Sequence, residues 1–302
     1  MKKILKWAGI SLGSLVLLAA LAAVYLNYSA KSRLVKHYDI QPKAIKIPTD
    51  SASVAEGKKW VSGFCTGCHG ENLAGTKFFD SPDLGTICSS NLTPGKGGIG
   101  GKFTDADWVR AIRHGVNAEG RPLLIMPAKD FQYLSDEHLG QIIAYLKTLE
   151  PVDQLWDKTH TTFLCNVLFA TGAFGDALNA ETIDHNAPAP SAPHRAVTAG
   201  YGDYLVKVAG CRTCHGPQLN GGKDPNPAAP ITPNLTPGGT LVSWGPDGFV
   251  KFFRTGITPM GKEVNPEFMP WKIYGHLDDD QLQAIYAYLM KQPPLTAAVV
   301  KK

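Results

Sequence analysis

Cys65-Thr66-Gly67-Cys68-His69 and Cys211-Arg212-Thr213-Cys214-His215 are the residues whose types and spacing could do chemistry. Two thiols three positions apart, followed directly by an imidazole, form the attachment signature of c-type haem. The thiols add to the two porphyrin vinyl groups while the adjacent histidine reaches the iron. Two copies imply two covalently attached haem c groups. A zinc site would need both cysteine pairs, 146 residues apart, to meet in one place, yet each pair stands in its own copy of a larger repeat. A thiol-disulfide active site would need a strand-helix-strand setting that neither motif has.

A haem iron wants a sixth ligand, and the thioether donors on offer are Met1, Met126, Met260, Met269 and Met290. Aligning the repeats selects Met126 and Met269, 57 and 54 residues after His69 and His215. Each precedes a proline, which favours an extended approach that can turn the side chain inward. Met260 lies in the same loop as Met269 but has no counterpart in the first copy. The competing role for these methionines is core filler. His/Met ligation fills both axial positions and raises the potential relative to bis-histidine, which suits outer-sphere electron transfer rather than binding of oxygen or peroxide.

The elements that must position these groups also repeat. Asn91-Leu92-Thr93-Pro94 returns as Asn234-Leu235-Thr236-Pro237, Arg113-His114-Gly115 as Arg254-Thr255-Gly256, and Met126-Pro127 as Met269-Pro270. Leu134 and Leu277 each introduce a helix with an N-cap residue, Ser135 or Asp278, acidic residues in the first turn and apolar residues at helical spacing. Further helices are predicted at Asp105 to His114 and Asp247 to Arg254, with Gly- and Pro-rich stretches at Gly95 to Gly101 and Asp224 to Pro237. No strand with alternating polarity stands out.

Lys2, Lys3 and Lys6 precede an uncharged run from Trp7 to Leu26, long enough at 1.5 Å per residue to cross the ~30 Å hydrocarbon core. Ala20-Leu21-Ala22 lies inside that run and Tyr28-Ser29-Ala30 has a bulky first residue, so a retained anchor is expected rather than a cleaved signal. Either would carry the rest across a membrane. The chain has 302 residues, 44% hydrophobic and 19% charged, which suits two domains with real cores. A net charge of +4, with +6 in the first fifty residues, is too small and scattered for nucleic acid. The expected fold is all-α, with two tandem haem-binding domains behind an N-terminal transmembrane helix. Residues 1–30 are the anchor, 31–52 a connector, 53–150 the first domain, 151–194 a linker and 195–302 the second. The linker closes on a proline-rich, semi-rigid spacer, His185 to Arg195.

The segments "CTGCHG", "NLTPGKGGIGGKFTDADWVRAIRHGV" and "MPAKDFQYLSDEHLGQIIAYLKTL" resemble the class I cytochrome c domains of membrane-bound alcohol, aldehyde and gluconate dehydrogenase cytochrome subunits, over nearly all of Val54 to Pro294, which implies two tandem class I cytochrome c domains behind the N-terminal helix. That resemblance implies an exported, membrane-attached electron carrier with its haem domains in the bacterial periplasm. It would take electrons from a dehydrogenase or quinol-oxidising partner and pass them to quinone or a terminal acceptor, with no catalytic residues of its own. It implies thioether cysteines at Cys65, Cys68, Cys211 and Cys214, iron-ligating histidines at His69 and His215, and distal methionines at Met126 and Met269. The dehydrogenase subunits carry three such domains in a row, and this chain carries two. A dihaem cytochrome oxidase subunit has a similar outline. A dihaem peroxidase would need an iron with an openable position, and a haem sensor would need a further output domain.

Other residues read more weakly. Cys88 and Cys165 are left over, as a disulfide or as two buried thiols in equal measure. Arg113 and His114 read as solvated charges rather than partners of haem propionates. Asp278 to Asp280 reads as helix capping rather than a calcium site. His160, His185 and His194 carry no assigned role.

Overall fold

The computed structural model describes residues 2–224 and 229–299. Residues 225–228, inside the Gly- and Pro-rich stretch from Asp224 to Pro237, lie outside the described residues, as do Met1 and residues 300–302.

The apolar N-terminal run forms one helix, α1 (Lys2–Leu34), with Lys31 and Arg33 in its last turn, where cations suit the helix dipole. Along most of α1 the apolar side chains, from Ile4 to Tyr28, are exposed. The last two turns behave differently. Ala30 is fully buried against Phe169 and Leu178, and Arg33 pairs with Glu181 at 2.6 Å while stacking 4.3 Å over the Phe169 ring. Asn166 donates to Asn27 at 2.9 Å. The helix therefore continues past the expected boundary at residue 30 and is packed into the body of the protein. Beyond it the chain runs without regular structure over the first domain, where Tyr38 N donates to Gly120 O and Arg110 donates to Ile40 O.

The first domain comprises α2 (Ser51–Phe64), α3 (Thr66–His69), α4 (Asp105–His114), α5 (Ala128–Phe131) and α6 (Asp136–Leu146). A belt carrying α7 (Phe163–Ala170) follows it. The second domain repeats the order with α8 (Ala199–Val208), α9 (Cys211–His215), α10 (Gly245–Thr255), α11 (Trp271–Tyr274) and α12 (Asp279–Met290). Capping residues fix the ends. Thr104 and Asp107 form a capping box on α4, Ser135 accepts from His138 N on α6, and Asp278 pairs with Gln281 on α12.

In each domain the entry helix crosses the exit helix at a glycine. A Cβ on Gly57 would lie 1.9 Å from Gln141 O, and one on Gly202 would lie 1.9 Å from Ala284 O. Only glycine allows backbones so close.

The all-α expectation needs one correction. β1 (Lys77–Ser81), β2 (Gly85–Cys88) and β3 (His160–Thr161) form a small antiparallel sheet in the order β1-β2-β3. β1 lies largely exposed, so no buried face imposes the polar-apolar alternation by which a strand is read from sequence. The linker also differs from a plain spacer. Val152 accepts from Asn91, Trp156 donates to Ala74 O, and β3 pairs with β2, so this segment is a belt on the first domain. The proline-rich stretch is extended but held at both ends, by His185 and by Arg195.

One apolar core runs through both domains. At the seam α11 packs on α2 and α5 packs on α8, a crosswise exchange of equivalent elements. Ser135 N donates to the Tyr204 hydroxyl, which in turn donates to His138 Nδ1 at 2.7 Å, and the His138 ring lies tilted against Trp60 with centroids 4.5 Å apart. At the rim Lys59 and Arg195 both reach Asp278, and Arg195 also reaches Glu56.

Candidate haem-binding sites

α2 passes into α3 through Cys65, whose N–H still bonds Val61 O, so Cys65, Cys68 and His69 sit on one short helical turn. α9 presents Cys211, Cys214 and His215 in the same way. Just past each motif the chain bends through Gly70 and Gly216, at φ 78° and 79°, and then through Leu73 and Leu219, at φ 57° and 59°. A buried leucine in the left-handed region is strained, and its occurrence at matching positions in both domains marks a held loop.

That loop leads to the repeated Asn-Leu-Thr-Pro segments. The Asn91 side chain accepts from Thr93 N and Oγ1 and donates to Val152 O, and Asn234 does the same with Thr236 and Leu295 O. The carbonyl just before each asparagine is thereby fixed. His69 Nδ1–H donates to Ser90 O at 2.8 Å, and His215 Nδ1–H donates to Pro233 O at 3.0 Å. Each ring has one nitrogen committed, which leaves Nε2 as the lone pair available to a metal. Burial lowers the pKa of both histidines, keeping them neutral as a ligand must be.

All four motif cysteines are free thiols. Burial pushes Cys65 up to about 12, with Cys68 adding to the shift. Cys211 is likewise pushed to about 12 by burial and then by Asp130, and Cys214 to about 12 by burial and then by Asp224. Thiols held protonated in this way lack the lowered pKa of a thiolate redox centre.

Met126 lines a cavity together with Cys65, Phe64, Ile112, Phe131, Leu134, Ile142 and Val208. The cavity joins a motif cysteine to the expected distal methionine, and Val208 comes from the other domain. Ile125, at φ 67° and bonded to Ala177 O, turns the chain so that Met126 packs on the core. Met269 likewise packs on the core, whereas Met260 is 63% exposed. Two free thiols, a histidine with one free nitrogen and a methionine packed among apolar side chains are a donor set that suits a haem in the first domain. The second domain repeats the donor set.

Several residues read differently in three dimensions. Arg113 is neither solvated nor set apart for a ligand. It is buried, and donates to Asp136 and Leu134 O, as its counterpart Arg254 donates to Asp279 and Leu277 O. The arginines tie α4 to the start of α6 and α10 to the start of α12, and the sequence hides this because the partner lies in another element. His114 is buried too, and donates from Nδ1 to His185 Nδ1 at 3.1 Å while His185 Nε2–H donates to Ala180 O. His185, given no role from sequence, thus pins the belt. Cys88 and Cys165 are free, with Cys165 buried in α7. Sequence reasoning missed Asp130, Tyr204 and Tyr274. The signal for Asp130 was the mismatch between MPAKDF and MPWKIY at otherwise aligned positions.

Comparison with known proteins agrees with the repeat. A family model for cytochrome c oxidase, cbb3-type, subunit III matches residues 52–146 and again 197–289. The fructose dehydrogenase cytochrome subunit of Gluconobacter japonicus is 30% identical over 258 residues, covering 77% of this chain and 51% of that protein. The alcohol dehydrogenase (quinone) cytochrome c subunit of Gluconacetobacter polyoxogenes is 29% identical over 273 residues, covering 82% and 57%. This chain thus spans little more than half the length of those subunits. A diheme cytochrome c-type protein of Cereibacter sphaeroides is 28% identical over 306 residues, covering 93% of this chain and 97% of that protein.

Proposed function

Because this chain belongs to the cytochrome c family described by the cbb3-type subunit III model, we propose that it is a membrane-anchored dihaem electron carrier serving a dehydrogenase or quinol-oxidising partner. The observation that carries the reading is the doubled donor set. Each domain presents two free thiols and a histidine tied through Nδ1 to a backbone carbonyl, with a core-packed methionine 54 or 57 residues on.

In this reading Cys65, Cys68, Cys211 and Cys214 form the thioethers, while His69 with Met126 and His215 with Met269 ligate the two irons. A bound haem supplies a one-electron couple. The residues keep that couple dry and rigid. Ser90 O and Pro233 O orient the histidine rings, and in the first domain the apolar side chains around Met126 keep water from the iron's distal side. The domains take residues 53–150 and 195–302, with 151–194 as the belt between them.

α1 is the anchor. Its apolar side chains are exposed along the length that would cross a bilayer, while its last turns are built into the fold through Ala30, Asn27 and Arg33. Cleavage within or after those turns would strip a buried residue from the body of the protein, so retention fits better than removal. The haem domains then stand at the periplasmic face of the cytoplasmic membrane.

Redox titration of membranes carrying the full chain, expressed with a haem-attachment system and followed by visible spectra, tests the reading. Two low-spin thioether haems titrating in two steps are expected. A high-spin haem left unaltered by substitution of its methionine would overturn it and turn attention to peroxide or gas chemistry.

A further inference from the structure

The seam joins the two motifs unequally. Four residues past each methionine, Asp130 and Ile273 occupy matching positions, and each reaches the other domain's motif. Ile273 Cγ1 would lie 3.1 Å from a Cβ on Gly67, inside the first motif. Asp130 Oδ2 would lie 2.5 Å from a Cβ on Gly210, the residue before Cys211. One motif is therefore covered by a hydrocarbon side chain and the other by a carboxylate.

The surroundings deepen that difference. Around the second motif, Asp224 bonds to Cys214, and both Asp130 and Asp224 act electrostatically on its thiols. Burial raises the Asp130 carboxyl to about 6 while Lys129, which also pairs with Asp176, draws it back toward the ionised form; Arg212 donates to Pro217 O and the Tyr288 hydroxyl. Tyr274 is neutral and donates to Ala209 O. At the first motif the shifts of Cys65, Cys68 and His69 come from burial, from one cysteine on the other and from the Ser90 carbonyl, with no carboxylate among their causes. The nearest carboxylate in sequence, Glu71, is exposed, where water screens its charge.

Resting on the dihaem reading above, we propose that Asp130, aided by Asp224, holds the second haem at a lower potential than the first, so that an electron shared between them settles in the first domain. Oxidation adds one positive charge to a haem site, and a carboxylate in a partly desolvated seam favours that charged form. An isoleucine at the matching place gives no such preference. The first domain, joined directly to α1, then collects electrons beside the membrane.

Redox titration of the full-length holoprotein, read from visible spectra, provides the test. Met269→Ala identifies the step belonging to the second haem. Asp130→Asn raises that step and leaves the other in place, changing the equilibrium between the two one-electron forms about tenfold, or about 59 mV for a one-electron couple. Asp130→Ile, which copies Ile273, gives the same shift. Ile273→Asp lowers the first-haem step instead, which guards against a misfolded Asp130 variant. Two intact low-spin spectra with neither step moved by Asp130→Asn or Ile273→Asp overturn the proposal, as does a shift confined to the first haem in the Asp130 variants. A protein without two low-spin haems fails at the earlier reading, and its spectra show this before any titration.

Discussion

The two domains share a frame and differ in their walls. In both, an Asx turn fixes a carbonyl, the carbonyl holds a histidine, a glycine lets two helices cross, and an arginine ties α4 to α6 or α10 to α12. The walls are individual. The first domain carries a sheet and a belt that holds the end of α1, and it buries His114 and half-buries His138. At the matching positions the second domain has Thr255 and Gln281. What recurs is the frame around each Cys-x-x-Cys-His motif, and what differs is the packing and charge around it.

The comparison breaks most severely at the methionines. Met126→Ala and Met269→Ala should each remove one low-spin signal from the oxidised spectrum and leave the other, while Met260→Ala should change neither. Loss of both signals from one substitution would show that the sites are not independent.

The helix crossings come next. Gly57→Ala and Gly202→Ala should each cost about 3 kcal/mol or more in thermal or denaturant unfolding, because the added methyl meets backbone that cannot yield. Unequal losses would mean that one domain is supported from outside its own crossing. Tyr204→Phe should cost about 1–3 kcal/mol by leaving Ser135 N–H and His138 Nδ1 unpaired, and should loosen the seam rather than either haem.

Acid sharpens the contrast. Burial lowers both His114 and His138 to about 4, from an ordinary value of 6.5. The unfolded chain therefore binds more protons between those values, and stability should fall as pH drops from about 6.5 toward 4. Both histidines belong to the first domain, so hydrogen exchange should show it opening before the second. His138→Gln, which copies Gln281, should reduce the slope. The smallest effect is expected at the rim, where Asp278→Asn breaks the partly exposed pairs with Lys59 and Arg195. There the loss should be below about 1 kcal/mol and should fade with added salt.

Much of this architecture was readable because the signals are local. Ser135 and Asp278 cap the helices expected of them, α4 spans the Asp105 to His114 predicted, and the motif cysteines and histidines need only a turn of helix to come together. Arg113, His114 and His185 were misread because their partners lie 21 to 71 residues away, and no periodicity reports a contact at that distance. The sheet escaped notice because an exposed β1 has no buried face to pattern it.

The sequence by itself determined two copies of one Cys-x-x-Cys-His motif, the apolar length of α1 and the spacing from histidine to methionine, since these are properties of residue type along a chain. Only the tertiary structure decided that equivalent elements exchange across the seam, that the end of α1 packs on the belt and that a carboxylate faces one motif where an isoleucine faces the other. Those facts depend on which surfaces meet, and burial and charge act through space rather than along the backbone.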